Sequence, residues 1–123
     1  MATILVIDDE AASRELVTKV LSPLGHKVIA VRDGEAAMWE LEHLMPDLLI
    51  VDLQMPRMDG WEFIEQLRHA PERRTIPILV MTARRTFLDR HVAARLARVD
   101  AYLTKPFKLQ ALSDKVGQLL EKK

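Results

Sequence analysis

Asp8-Asp9-Glu10 follows directly on an apolar run, Ile4-Leu5-Val6-Ile7, and Asp52 closes a second, Leu48-Leu49-Ile50-Val51. Short runs of this kind, rich in branched side chains, read as strands buried on both faces of a parallel sheet. A buried strand has no structural use for a carboxylate at its tip. Two further runs also end in polar groups: Ile76 to Met81 in Thr82, and a short strand from Asp100 to Thr104 in Lys105. Ligands of open α/β sheets bind outside the carboxyl ends of the strands, so these tips are where chemistry would be placed. If the first and third strands are neighbours, their acids converge. Carboxylates so close repel, and raise one another's pKa unless a cation sits among them. Hard oxygen donors without a thiol or histidine nearby favour Mg²⁺ over zinc. Lys105 and Thr82 would then supply an ammonium and a hydroxyl on the other side of Asp52, the groups that would hold an incoming phosphoryl group. Phosphoryl transfer is mostly positioning and charge neutralisation, and in such a site Asp52 is a usable nucleophile. The product, an acyl phosphate, adds charge and strong acceptor oxygens, enough to reorder a nearby loop.

The elements that must position these tips alternate along the chain. The first strand, Thr3 to Ile7, leads into a helix with Ala12, Leu16, Val20 and Leu21 on one face and Arg14, Glu15, Thr18 and Lys19 away from it. Pro23 and Gly25 end that helix. Lys27 to Val31 is a second strand. Asp33-Gly34 caps a second helix, in which Ala37, Leu41 and Leu44 align until Pro46. After the third strand, Asp59-Gly60-Trp61-Glu62 has the spacing of a capping box. The helix it opens buries Phe63, Ile64 and Leu67 and stops before Pro71. Leu88, Val92 and Leu96 define a fourth helix whose other positions are heavily basic. The last helix aligns Leu109, Leu112, Val116, Leu119 and Leu120. The order βαβαβαβαβα implies a parallel sheet covered by helices on both sides, one α/β domain over residues 1–123.

Composition excludes several function classes. The chain has 123 residues, 49% hydrophobic and 29% charged, as expected of an ordinary globular protein with a core of its own. Eighteen basic and eighteen acidic side chains cancel, whereas a dedicated nucleic-acid binder carries a basic excess. No cysteine is present, which removes disulfides, thiolate metal sites and a thiol nucleophile and fits a reducing compartment. No apolar run approaches the roughly 18 residues of a membrane span, and no leader is visible ahead of the first strand, so a cytoplasmic location is expected.

Ile7-Asp8-Asp9-Glu10, Asp52 with Met55-Pro56 and Asp59-Gly60, Met81-Thr82-Ala83, and Tyr102-Leu103-Thr104-Lys105-Pro106-Phe107 together resemble a response-regulator receiver domain. Each motif alone is common; in this order and spacing, across essentially the whole chain, they are specific. The resemblance implies a flavodoxin-like, doubly wound (βα)5 sandwich with strand order 2-1-3-4-5. It implies Asp52 as phospho-acceptor. Asp9 would bind Mg²⁺ directly and Asp8 largely through water, with Asp52 and the Gln54 backbone carbonyl completing the protein ligands. Lys105 would pair with the phosphoryl group, the Thr82 hydroxyl would move to bond it, and Tyr102 would be the aromatic switch that turns inward as Thr82 shifts. The Lys105–Pro106 bond would be cis. The donor would be a sensor histidine kinase or a histidine phosphotransfer protein. A downstream target would read the face made by the basic fourth helix, the fifth strand and the last helix, with no direct nucleic-acid contact and no membrane insertion. The unphosphorylated form would be monomeric, and dimerisation on phosphorylation is left open.

Gln54 and Arg84 occupy positions that in this family modulate phosphoryl lifetime, and Arg98 stands where many relatives have glycine. The ordinary reading of Asp8, Asp9 and Asp52 is helix capping and turn formation, which leaves Lys105 and Thr82 unexplained. Arg84, Arg85, Arg90, Arg95 and Arg98 read either as a solvated helix face or as a docking face for an acidic partner. Trp39 falls off the apolar stripe of its helix. His26, His43, His69 and His91 have no ligand spacing. Two other function classes stay open: a receiver-shaped interaction module working without phosphorylation, and a Mg²⁺-dependent phosphohydrolase with Asp52 as nucleophile. The loops are short for the substrate pocket a hydrolase needs. Self-directed transfer and autodephosphorylation are expected rather than turnover of an external substrate. The charged C-terminus after a complete last helix favours a free-standing receiver over a piece of a larger regulator.

Overall fold

All five apolar runs form strands, and all pair in parallel in the order β2-β1-β3-β4-β5. The computed structural model describes residues 1–53, 60–83 and 99–121. Its elements are β1 (Thr3–Ile7), α1 (Ala11–Leu21), β2 (Lys27–Val31), α2 (Gly34–Leu41), β3 (Leu48–Asp52), α3 (Gly60–Arg68), β4 (Ile78–Ala83), β5 (Ala101–Lys105) and a C-terminal helix (Leu109–Glu121). Single 3₁₀ turns at Ser22–Leu24 and Pro71–Arg73 start near Pro23 and at Pro71, whose fixed φ suits a first helical position. The strand order puts β1 beside β3, the point where the winding reverses and where the acids of both strands meet. The expected basic fourth helix and the Asp59 cap fall outside the described residues.

Strand alternation divides the core in two. On one face Ile4 and Val6 of β1, Leu48 and Ile50 of β3, Leu79 and Met81 of β4 and Leu103 of β5 pack against Val17, Leu21, Leu112, Val116 and Leu119 of α1 and the C-terminal helix. On the other, Leu5, Ile7, Leu49, Val51, Ile78 and Val80 pack against Ala37, Leu41, Phe63 and Leu67 of α2 and α3. All five residues of β3 are buried. This is the pattern of a central strand covered on both sides.

Four boundaries or faces differ from the sequence expectation. The buried face of α1 carries Val17 and Leu21, while Ala12 is exposed and Leu16 is 40% exposed. Helix α2 ends at Leu41 rather than running to Pro46. Its last turn tightens, with the Glu42 and His43 amides donating to carbonyls three residues back. Strand β4 starts at Ile78 and reaches Ala83, because Pro77 has no N–H to give and Ala83 still pairs with Lys105. Asp100 is not in β5; its carboxylate instead accepts the Ile78 amide at 2.7 Å and anchors the start of β4.

Gly60 opens α3 directly behind the tip of β3. Its amide donates to the Leu53 carbonyl at 3.1 Å, and a Cβ at this position would lie 2.8 Å from both the Asp52 carbonyl oxygen and the Leu53 Cα. Backbone atoms cannot give way as a side-chain end can. A Gly60→Ala variant is therefore expected to lose about 1–3 kcal/mol of stability, read as a lower urea midpoint at unchanged m. An unchanged midpoint would mean the start of α3 is not held against β3.

Candidate functional site

The apolar row on the α1 side of the sheet ends, strand by strand, in charge. Ile4-Val6 is followed in the same parity by Asp8, Leu48-Ile50 by Asp52, and Leu103 by Lys105. Side chains two apart share a face, so three polar groups are delivered to one place by the same alternation that builds the core beneath them. Asp8 is fully buried and Asp52 is 4% exposed. Buried carboxylates need partners, and Lys105 supplies them: its Nζ lies 3.1 Å from Asp8 Oδ2 and 3.3 Å from Asp52 Oδ2, with Glu10 Oε1 at 3.8 Å and the Ser13 hydroxyl at 3.3 Å. The Lys105–Pro106 bond is cis, as the resemblance implies.

Asp8 is anchored on every side. Its Oδ1 accepts the Glu10 amide at 3.0 Å, its own amide donates to the Val31 carbonyl, and its carbonyl accepts from the Arg14 guanidinium at 2.8 Å. Arg14, which the helical pattern puts away from the core, thus folds back over the β1–α1 turn and fixes the backbone that carries the acids. The signal was its position in the first turns of α1, directly above that turn.

One oxygen each from Asp8, Glu10 and Asp52 lies within 4.8 Å of the others. Asp9 is exposed and lies outside this trio. Glu10, which the sequence reading left without a role, reaches Asp8 from the N-cap of α1, beyond the end of β1. The donor set is all hard oxygen and its spread can close on a small ion, so it fits a divalent cation of the Mg²⁺ kind, with ligand distances of about 2.0–2.1 Å. The Gln54 carbonyl, Arg84 and the other arginines of the basic segment lie outside the described residues.

Thr82 and Tyr102 occupy the other row. Thr82 is fully buried and pairs in register with Thr104; Tyr102 pairs with Val80, which packs toward α2 and α3. The two are therefore diagonal neighbours on the opposite parity from Asp52 and Lys105, and the Tyr102 side of the pair is 40% exposed. Trp61, in the first turn of α3, is half-buried against the α3-side core. Trp39 is 59% exposed, its ring 4.4 Å from that of His43, remote in sequence from all of these groups.

Burial pushes the Lys105 ammonium toward a lower pKa, and the charges of Asp52 and Asp8 with their hydrogen bonds more than reverse it, so the net shift is upward from 10.5. A cationic group raised on folding contributes stability that is fully present below its unfolded pKa and lost as pH rises through the folded value. The stability difference between the wild type and Lys105→Met is accordingly expected to hold from pH 7 to about 10 and to shrink above that. Urea denaturation across that range reads it; a gap that closes below pH 9 would contradict the ion-pair geometry.

Comparison with known proteins agrees with this arrangement. The family described as "Response regulator receiver domain" matches residues 4–117. The Response regulator MprA of Mycobacterium avium is 41% identical over 119 residues, which are 97% of this chain and 51% of that protein. The chain thus spans about half the length of the curated relatives it matches. The crystal structure of the signal receiver domain of a signal transduction histidine kinase from Syntrophus aciditrophicus superposes with a TM-score of 0.89 at 31% identity, over 99% of this chain and 92% of that one. The receiver domain of sensor histidine kinase PA1611 from Pseudomonas aeruginosa PAO1 superposes at 0.87 with 28% identity, over 98% of each chain, and its crystal structure has a magnesium ion coordinated in the active-site cleft. With the 2-1-3-4-5 sheet, the acids at its switch point and the lysine between them, these matches settle the family: the chain belongs to the receiver domains of response regulators, the signalling switches of two-component systems.

Proposed function

We propose that Asp52 is the phospho-acceptor of this switch, the reading carried above all by one observation: a nearly buried carboxylate at the tip of the central strand, held 3.3 Å from a lysine ammonium. A phosphohistidine of a sensor kinase or a phosphotransfer protein is the donor. An Asp52 carboxylate oxygen attacks phosphorus, the new O–P bond forms as the P–N bond breaks, and the electron pair leaves on the imidazole nitrogen. Asp8, Asp52 and one or both of Glu10 and Asp9 would hold Mg²⁺, with the Gln54 carbonyl as a further ligand. That assignment is supported by the hard donor set and by the magnesium seen in the Pseudomonas aeruginosa relative. When bound, the ion neutralises charge on the transferring phosphoryl oxygens.

The chain's own residues do the rest. Lys105 carries a fixed cation within reach of Asp52 and can turn its donors from carboxylate to phosphoryl oxygens. Thr82, one residue beyond the Met81 that pairs with Asp52 and on the opposite parity, moves to bring its hydroxyl to the phosphoryl group. Tyr102, on the face shared with Thr82, is the side chain placed to convert that move into a surface change that a target protein reads. The chemistry is confined to Asp52 and reversed by water, so turnover of an external substrate is not part of the role. Cytoplasmic residence fits a kinase-coupled switch, and among the described residues no helix is long and apolar enough to cross a membrane.

Incubation with Mg²⁺ and acetyl phosphate, followed by intact-mass analysis, tests the reading. A single labile phosphoryl adduct that a chelator prevents supports it. A protein that binds Mg²⁺ yet takes no phosphoryl group from either acetyl phosphate or a phosphohistidine donor is an interaction module that works unphosphorylated.

A further inference from the structure

Lys105 has more oxygens around it than the family motifs account for. An ammonium has three donors, and among the described residues three side-chain oxygens lie within 3.3 Å of it: Asp8 Oδ2, Asp52 Oδ2 and Ser13 Oγ. Two of these are anions whose role changes during the reaction. Asp8 and Asp52 would give oxygens to a divalent cation, and phosphorylation would turn Asp52 into an acyl phosphate with the charge moved outward onto the phosphoryl oxygens. The third is a neutral hydroxyl whose charge changes in neither step. Ser13 sits in the first turn of α1, half-buried, one position before the Arg14 that clamps the Asp8 carbonyl. The helix start is thus fixed to the same turn that carries the acids, and Ser13 approaches Lys105 from a rigid element.

We propose that Ser13 is a positioning residue for phosphoryl recognition: its hydroxyl is the pivot on which the Lys105 ammonium turns from the carboxylates to the phosphoryl oxygens. The inference rests on Asp52 being the phospho-acceptor and deepens that reading. With the hydroxyl present, one donor of Lys105 stays engaged while the other two exchange partners, so the long lysine side chain loses less freedom on meeting the phosphoryl group. Without it, the ammonium has only the anions and water to choose among. Removing the Ser13 hydroxyl leaves the carboxylate oxygens of Asp8, Glu10 and Asp52, which lie within 4.8 Å of one another, in place.

The test measures two affinities for each variant. Heat of binding is titrated calorimetrically, first with Mg²⁺ alone and then, at saturating Mg²⁺, with beryllofluoride, a phosphoryl-shaped anion that binds a carboxylate. Ser13→Ala is expected to weaken beryllofluoride three- to tenfold while Mg²⁺ affinity stays within twofold, and Ser13→Thr, which keeps the hydroxyl, is expected to restore the wild-type value. Equal losses for Mg²⁺ and beryllofluoride would make Ser13 a general support of the β1–α1 turn and overturn the proposal, as would Ser13→Ala binding beryllofluoride like the wild type. Failure of the underlying reading looks different: the wild type itself would then bind beryllofluoride no better than Asp52→Asn.

Discussion

Lys105→Ala is expected to pull apart two properties that one site normally joins. Phosphoryl transfer to Asp52 should fall by about 10²–10³-fold, the usual loss when one preorganised donor to a developing anion is removed. Mg²⁺ binding should move the other way. The ammonium stands 3.1–3.3 Å from the Asp8 and Asp52 oxygens and competes with a metal for both. Unit charges 4 Å apart in an effective dielectric near 20 interact by about 4 kcal/mol, so removing the competitor should tighten Mg²⁺ by tenfold or more even after screening. The variant should also be less stable without metal, because the buried carboxylates lose the cation that compensates them. Added Mg²⁺ should recover much of that loss. Slower transfer together with weaker Mg²⁺ binding would mean that Lys105 organises the acids rather than competing for them.

Asp52→Asn is expected to abolish the phosphoryl adduct outright, since the amide oxygen is not a usable nucleophile and its product would be no acyl phosphate. The fold should survive. Three carboxylates share one ammonium in the described site, and asparagine keeps the shape while removing one of the repelling charges. The thermal midpoint in metal-free buffer should equal or exceed that of the wild type. A fall of more than about 5 °C, roughly 1 kcal/mol in a domain of this size, would show that the Asp52–Lys105 pair stabilises the fold more than acid–acid repulsion opposes it. Residual phosphorylation of the variant would point to another acid as acceptor.

How far these sites could be read in advance follows from which periodicities are unambiguous. The five strands were legible because continuous apolar runs of three to six residues with polar tips have few other readings, and β3 is buried throughout as its composition demands. Strand order was not in the pattern; it came with the family resemblance. Rotation of α1 was misjudged because Leu16 and Val17 both continue plausible stripes. Only the neighbours decide between them, and the C-terminal helix meets Val17 and Leu21. Pro77 marked the true start of β4 by its missing N–H, a local signal outweighed by the apolar Ile76 before it.

At the site, Asp8, Asp52 and Lys105 stood out as charges where apolar rows should end, and they meet in the structure. Ser13 and Arg14 did not stand out, because a serine and an arginine in a first helical turn look like ordinary solvated positions. Their reach back to Lys105 and to the Asp8 carbonyl depends on how α1 leaves β1. Glu10 was given no role, because its approach to Asp8 and Asp52 depends on how the chain turns from β1 into α1. Thr82 and Tyr102 could be placed on strands but not on a face, since their parity relative to Asp52 depends on the β3–β4–β5 register.

The most direct measurement is the chemical identity of residue 52 after phosphorylation. The protein is incubated with Mg²⁺ and acetyl phosphate, reduced with borohydride, digested, and sequenced by mass spectrometry. Borohydride converts an aspartyl phosphate to homoserine and leaves free carboxylates alone. Homoserine at position 52, and at no other acid, in the Mg²⁺ sample but not in the chelated one is the predicted result. Reduction at Asp8, Asp9 or Glu10 instead, or a phosphoryl group that survives borohydride on a hydroxyl or imidazole, would contradict Asp52 as the acceptor around which the site is built.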